Sequence, residues 1–134
     1  MMNYQQYRDS VIGKRVCRER YGYQCVWVFK DFVRKVYNWK IGRTWNANQI
    51  WYNSYHIFGN DRFRTRDMTN VQPWDVIISV RRWYWHIALV NSDQWDYVEV
   101  LEQNGIGGGN GLWANRVRLK RYAKKFFVWV WRKL

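Results

Sequence analysis

Gln24-Cys25-Val26-Trp27-Val28-Phe29-Lys30-Asp31-Phe32-Val33-Arg34-Lys35-Val36-Tyr37-Asn38 repeats its apolar side chains with the period of a helix. Val28, Phe29, Phe32, Val33, Val36 and Tyr37 follow the i, i+3, i+4, i+7 spacing of one buried face. Lys30, Asp31, Arg34 and Lys35 fall between them and form the polar face. Cys25 opens this segment. A cysteine in a first turn meets unpaired backbone N–H groups and the positive end of the helix dipole, which favour thiolate over thiol. Thiolate is the form that attacks carbonyls, so the segment offers a candidate nucleophile.

Upstream, Tyr4 to Ile12 reads as a short helix; downstream, Asn46 to Ser54 reads as a third. Phe58 to Asn70 is polar and charged, the composition of a surface loop. After Pro73 the period becomes two. Val76, Ile78 and Val80 alternate with Ile77 and Ser79, a strand. His86, Ala88 and Val90 alternate with Ile87 and Leu89, a second strand. Residues from Tyr97 to Asn104 give a third, with Asn91 to Asp96 as the hairpin turn between. Phe126 to Trp131 makes a closing strand. Helices first and antiparallel strands afterwards indicate an α+β domain, N-terminal helices packed on one side of an antiparallel sheet.

The 134 residues suffice for one domain and are too few for two ordinary ones, so residues 1–134 are expected to form a single domain with no separate second one. The formal charge of +13 implies anionic company: nucleic acid, acidic lipid or an acidic cell-wall polymer. Arg116 to Leu134 carries eight cations and no acid, a strip suited to docking on such a surface. Two cysteines, Cys17 and Cys25, make no disulfide framework and are expected reduced. The polar N-terminus lacks the apolar core of a secretory signal, and no run approaches the roughly 20 apolar residues of a membrane span. Synthesis in the cytoplasm is expected, with any action outside the cell following release.

A cysteine nucleophile needs a base that takes its proton and delivers it to the leaving group, and His86, inside a strand, is the better placed of the two histidines. Glu102 and Asn104 are two residues apart, so both project from one strand face, roughly 6–7 Å apart. One holds the imidazole's far nitrogen while the other lines the pocket. Cysteine at a helix start, histidine on one strand and a carboxylate or amide on the next is the logic of papain-like cysteine hydrolases.

Four stretches carry a family likeness: Tyr21-Gly22-Tyr23-Gln24-Cys25, then Gln72-Pro73-x-Asp75-Val76-Ile77-Ile78, then His86-Ile87-Ala88-Leu89-Val90, and finally Glu102-Gln103-Asn104. In order and spacing they resemble the CHAP family, cysteine- and histidine-dependent amidohydrolases or peptidases that cut peptidoglycan, many of them in phage endolysins. The resemblance runs from about residue 4 to 131. It implies Cys25 as nucleophile, His86 as general base and acid, Glu102 as orienter and Asn104 as a supporting polar residue. Backbone N–H groups at the helix start and Gln24 are the implied oxyanion donors, with Tyr23 and Trp85 lining the substrate site.

The sequence departs from that pattern twice. Some family members hold calcium through aspartates before the Gln-Cys pair. Here the segment reads Val16-Cys17-Arg18-Glu19-Arg20, whose arginines repel a hard cation. No metal and no cofactor is expected. Tryptophan also stands where the family has glycine: Trp74 in a Pro-x-Asp turn, Trp85 before the histidine, Trp45, and Trp95 in a hairpin turn. Eleven tryptophans in one such chain is several times the ordinary share. Either the rings are genuine and line a groove for sugar or peptide stacking, or the source reads UGA as glycine.

Other candidates have plainer readings. Cys17 is an idle or buried thiol, His56 a surface residue, and Gly105 to Gly111 a flexible rim lacking the Lys-Ser/Thr of a phosphate loop. The expectation is a monomeric peptidoglycan amidase or cross-bridge endopeptidase of phage-lysin type, with nucleic acid not expected as partner. The rival is a non-catalytic binder of nucleic acid or anionic polymer, built on charge and exposed rings. A bacterial amidase toxin is a third reading within the enzyme class.

Overall fold

The structure, a computed structural model, describes residues 1–16, 25–39, 62–81, 84–103 and 116–134. Helix α1 spans Tyr4–Val11, starting at Asn3, whose side chain accepts from the Gln6 N–H while Gln6 caps Asn3 in return. Helix α2 spans Cys25–Tyr37 and buries Val28, Phe29, Phe32, Val33 and Val36, as its periodicity marks out. It also buries Val26, Trp27 and two residues of the expected polar face, Lys30 and Asp31, the latter taken up by Tyr7 and Lys35. The strands are β1 (Arg62–Thr65), β2 (Val76–Arg81), β3 (Tyr84–Gln94), β4 (Tyr97–Glu102), β5 (Arg118–Ala123) and β6 (Trp129–Lys133), with a 3₁₀ turn at Lys124–Phe126. They form one six-stranded antiparallel sheet in the order β1-β6-β2-β3-β4-β5. The chain is an α+β fold with its helices packed on the sheet.

Alternation divides the sheet into two apolar layers. Val76, Ile78, Ile87, Leu89, Leu101 and Trp131 face the helices and meet Tyr7, Phe29, Phe32 and Val33. Ile77, Ala88, Val90, Val98, Val100 and Val130 line the other face, joined by Val71, Tyr122 and Phe127. The two helices are tied together where the Tyr7 hydroxyl donates to Asp31 Oδ2 at 3.1 Å. No described helix is long and apolar enough to cross a membrane.

Four local expectations need correction. The polar segment before Asn70 contains β1, a short, charged edge strand paired to β6, the form in which an exposed edge resists further pairing. The hairpin turn is Trp95-Asp96 alone, because β3 continues to Gln94 with a bulge between Val90 and Ser92. Strand β5 lies in what the sequence presents as a basic strip. The closing strand runs Trp129–Lys133, because a 3₁₀ turn occupies Lys124–Phe126. The expected helix at Asn46 to Ser54, the glycine-rich rim, Cys17, Trp45 and His56 lie outside the described residues.

Candidate active site

Helix α2 begins at Cys25, a thiol in no disulfide that is partly buried against the helix-side core. His86 lies near the start of β3 and is 1% exposed, directly opposite the fully buried Ser79 of β2. Glu102 ends β4 and is fully buried. Its Oε1 stands 3.4 Å from His86 Nε2. Neither ring nitrogen has a well-aligned hydrogen bond, so at rest the contact with Glu102 is one of charge more than of directed bonding.

The electrostatics follow from this packing. Burial alone drives the imidazole toward neutrality, but Cys25 and Glu102 outweigh it and push His86 up to about 9 from 6.5. Glu102 is lowered from 4.5: burial opposes ionisation, and His86, the Tyr122 hydroxyl and Arg118 overcome it. The imidazole therefore interacts with the helix-start cysteine and with a strand-end carboxylate at once.

Sequence reasoning misses the residues that hold Glu102. Arg118, paired to it across β4 and β5, donates to Oε2 from both Nε and Nη2, each at 3.3 Å. The Tyr122 hydroxyl hydrogen-bonds the same carboxylate, and its ring lies against His86 with centroids 6.5 Å apart. Gln103 is also missed. It is fully buried, accepts from the Val16 N–H and donates to the Val16 carbonyl, both at 2.7 Å, strapping the segment before Cys17 to the end of β4. Arg118 and Tyr122 share one face of β5, but the cations Lys120 and Arg121 between them hide that alternation in the sequence.

Cys25, His86 and Glu102 are thus brought together. Gln24, Tyr23 and Asn104 lie outside the described residues. Trp85 precedes His86 in β3, paired with Val80 of β2. Among the described residues, no group of three or more His, Cys, Asp and Glu gathers at metal-binding distance.

No protein-family model and no curated protein matches the chain. Among solved structures it is similar to a wild-type endolysin, LysIME-EF1, at TM-score 0.71 and 18% identity, covering 99% of this chain and 65% of that one. It is also similar to Ly7917 at TM-score 0.62 and 14% identity, covering 98% of this chain and 63% of that one. At such identities the likeness is one of fold, and the chain spans less than two thirds of the length of either neighbour.

Proposed function

We propose that this chain is a peptidoglycan hydrolase of the CHAP type, a phage lysin that acts on the cell wall after release. The observation that carries the reading is a buried imidazole held between a helix-start cysteine and an anchored carboxylate, on a fold shared with an endolysin. With Nε2 turned to Glu102, Nδ1 is the nitrogen left to serve Cys25.

In the proposed cycle the Cys25 thiolate attacks a wall-peptide carbonyl carbon, forming a C–S bond and an oxyanion. Backbone N–H groups at the start of α2, with Gln24, take that charge. As the oxyanion collapses, the C–N bond breaks and the His86 imidazolium gives its proton to the departing amine. Neutral His86 then removes a proton from water, which attacks the thioester. The acyl group leaves as a carboxylic acid and the thiolate–imidazolium pair is restored. Asn104 supports the pocket, and Tyr23 and Trp85 line the substrate. The bond cut is the muramyl–L-alanine amide or a cross-bridge peptide bond.

A turbidity assay on purified cell wall, with mass spectrometry of the new termini, tests this. Cys25→Ala abolishes clearing while circular dichroism shows the fold intact. A non-catalytic polymer binder behaves oppositely, keeping its function in Cys25→Ala and weakening steeply with salt. Undiminished clearing by that variant sinks the hydrolase reading.

A further inference from the structure

Glu102 uses its two oxygens differently. Oε2 takes both Arg118 donors, while Oε1 accepts no hydrogen bond and faces His86. A carboxylate anchored through one oxygen cannot rotate, so the other stays aimed. Tyr122 adds a donor to the same carboxylate and a ring edge against the imidazole. We propose that Arg118 and Tyr122 are positioning residues that lock the Glu102 carboxylate and thereby keep His86 oriented. Arg118 thus belongs to the site and not to the docking strip.

This deepens the hydrolase reading and rests on it only in its kinetic readout. Two variants are measured. Tyr122→Phe keeps the ring contacts to His86 and Phe127, so it folds even where Arg118→Ala, which strips the cation from a buried carboxylate, does not. Expected in each folded variant is a kcat on purified wall lower by about tenfold to a hundredfold with KM unchanged, as for a group held in poorer geometry. The His86 titration midpoint, read by imidazole NMR, shifts away from that of the wild type. Arg118→Lys, which keeps one donor, restores part of both. Unchanged kcat and midpoint in Tyr122→Phe overturn the proposal. Should the wild type cleave no wall while the midpoint still shifts in the variants, the clamp stands and the hydrolase reading fails.

The backbone independently supports a second inference. Gln72 to Asp75 is a four-residue turn closed by the Asp75 N–H donating to the Gln72 carbonyl at 3.0 Å, with Pro73 second and Trp74 third at φ +82°. That is the type II geometry, whose third position calls for glycine. Gln94 pairs with Tyr97 around Trp95-Asp96, and Trp95 has φ +67° while Asp96 is not in the left-handed region. That is the type II′ hairpin, whose first central position calls for glycine. Trp95 is 92% exposed and gains nothing from burial, while Trp74 is 39% exposed and packs on the Tyr4 ring at 5.8 Å between centroids. We infer that codons 74 and 95 are UGA, read as glycine in the source, so that the natural protein carries glycine at both turns.

Sequencing the gene decides it: UGA at both is expected, and UGG at either overturns the inference. A protein with Trp74→Gly and Trp95→Gly melts about 5 °C higher or more, since both strains are relieved. A lower melting temperature also overturns it.

Discussion

At the scale of the residue, a histidine 1% exposed and raised to about 9 ties stability to pH with a definite sign. Because its folded pKa lies above 6.5, the pairing with Cys25 and Glu102 stabilises fully below 6.5 and is lost as pH climbs through about 9. Glu102, lowered from 4.5, contributes above 4.5 and loses its share as pH falls through its folded value. Melting temperature is therefore expected to be highest between those limits and to decline from 6.5 toward 9. His86→Gln removes that decline, and a wild-type curve flat across it contradicts the pairing. Cys25 and His86 are readable in the sequence because each sits in a segment of clear period. Arg118 and Tyr122 are not, because β5 reads Arg118-Leu119-Lys120-Arg121-Tyr122-Ala123, where charge obscures the alternation. Only the cross-strand register of Glu102 with Arg118 converts a surface cation into a partner for a buried acid.

At the scale of the element, α2 both fills the core and presents Cys25, so its packing sets how firmly the sulfur is held. Phe32 is fully buried and meets Tyr4, Tyr7 and Tyr37 edge-on, at centroid distances of 6.0, 5.4 and 5.3 Å. Truncating it removes ring contacts that no neighbour replaces. Phe32→Ala is expected to lose about 3–5 kcal/mol in urea unfolding. A loss under about 1 kcal/mol means the site collapses onto the void and α2 is less tightly docked than the contacts imply. The core-facing helices and the inner strands were legible for the same reason that Phe32 matters: a buried face imposes periodicity. The edge strand β1 and strand β5 escaped because charged side chains do not mark a period. The length of β3 escaped because the polar residues Asn91 to Gln94 signal a turn by type. Asn91 is instead held in the sheet, donating to Glu99 at 2.5 Å and accepting from Arg8 of α1 at 3.0 Å.

At the scale of the whole molecule, several of the described acids are spent on internal pairs while the cations remain in surplus. Asp31 meets Arg34 and Lys35, Asp75 meets Arg132, Asp93 meets Lys124, and Glu102 meets Arg118. Asp75 and Glu102 are fully buried, so Arg132 and Arg118 are committed to them. Of the basic strip, the exposed members include Arg121, stacked on the Tyr97 ring at 4.1 Å, and Lys125. These face water, and on the proposed reading an anionic wall polymer meets them through screened charge, which fades over about 10 Å at 0.1 M salt. The buried His86–Glu102 pair is shielded from the same screening. Binding and hydrolysis should therefore separate. Pelleting with purified wall is expected to weaken steeply as salt rises, and Arg121→Gln with Lys125→Gln to weaken it at low salt and flatten that dependence. Cleavage of a small uncharged wall peptide by the same double variant stays at the wild-type rate. If the variant pellets as the wild type does at every salt concentration, these cations take no part in docking, and the surplus charge must act through other surfaces.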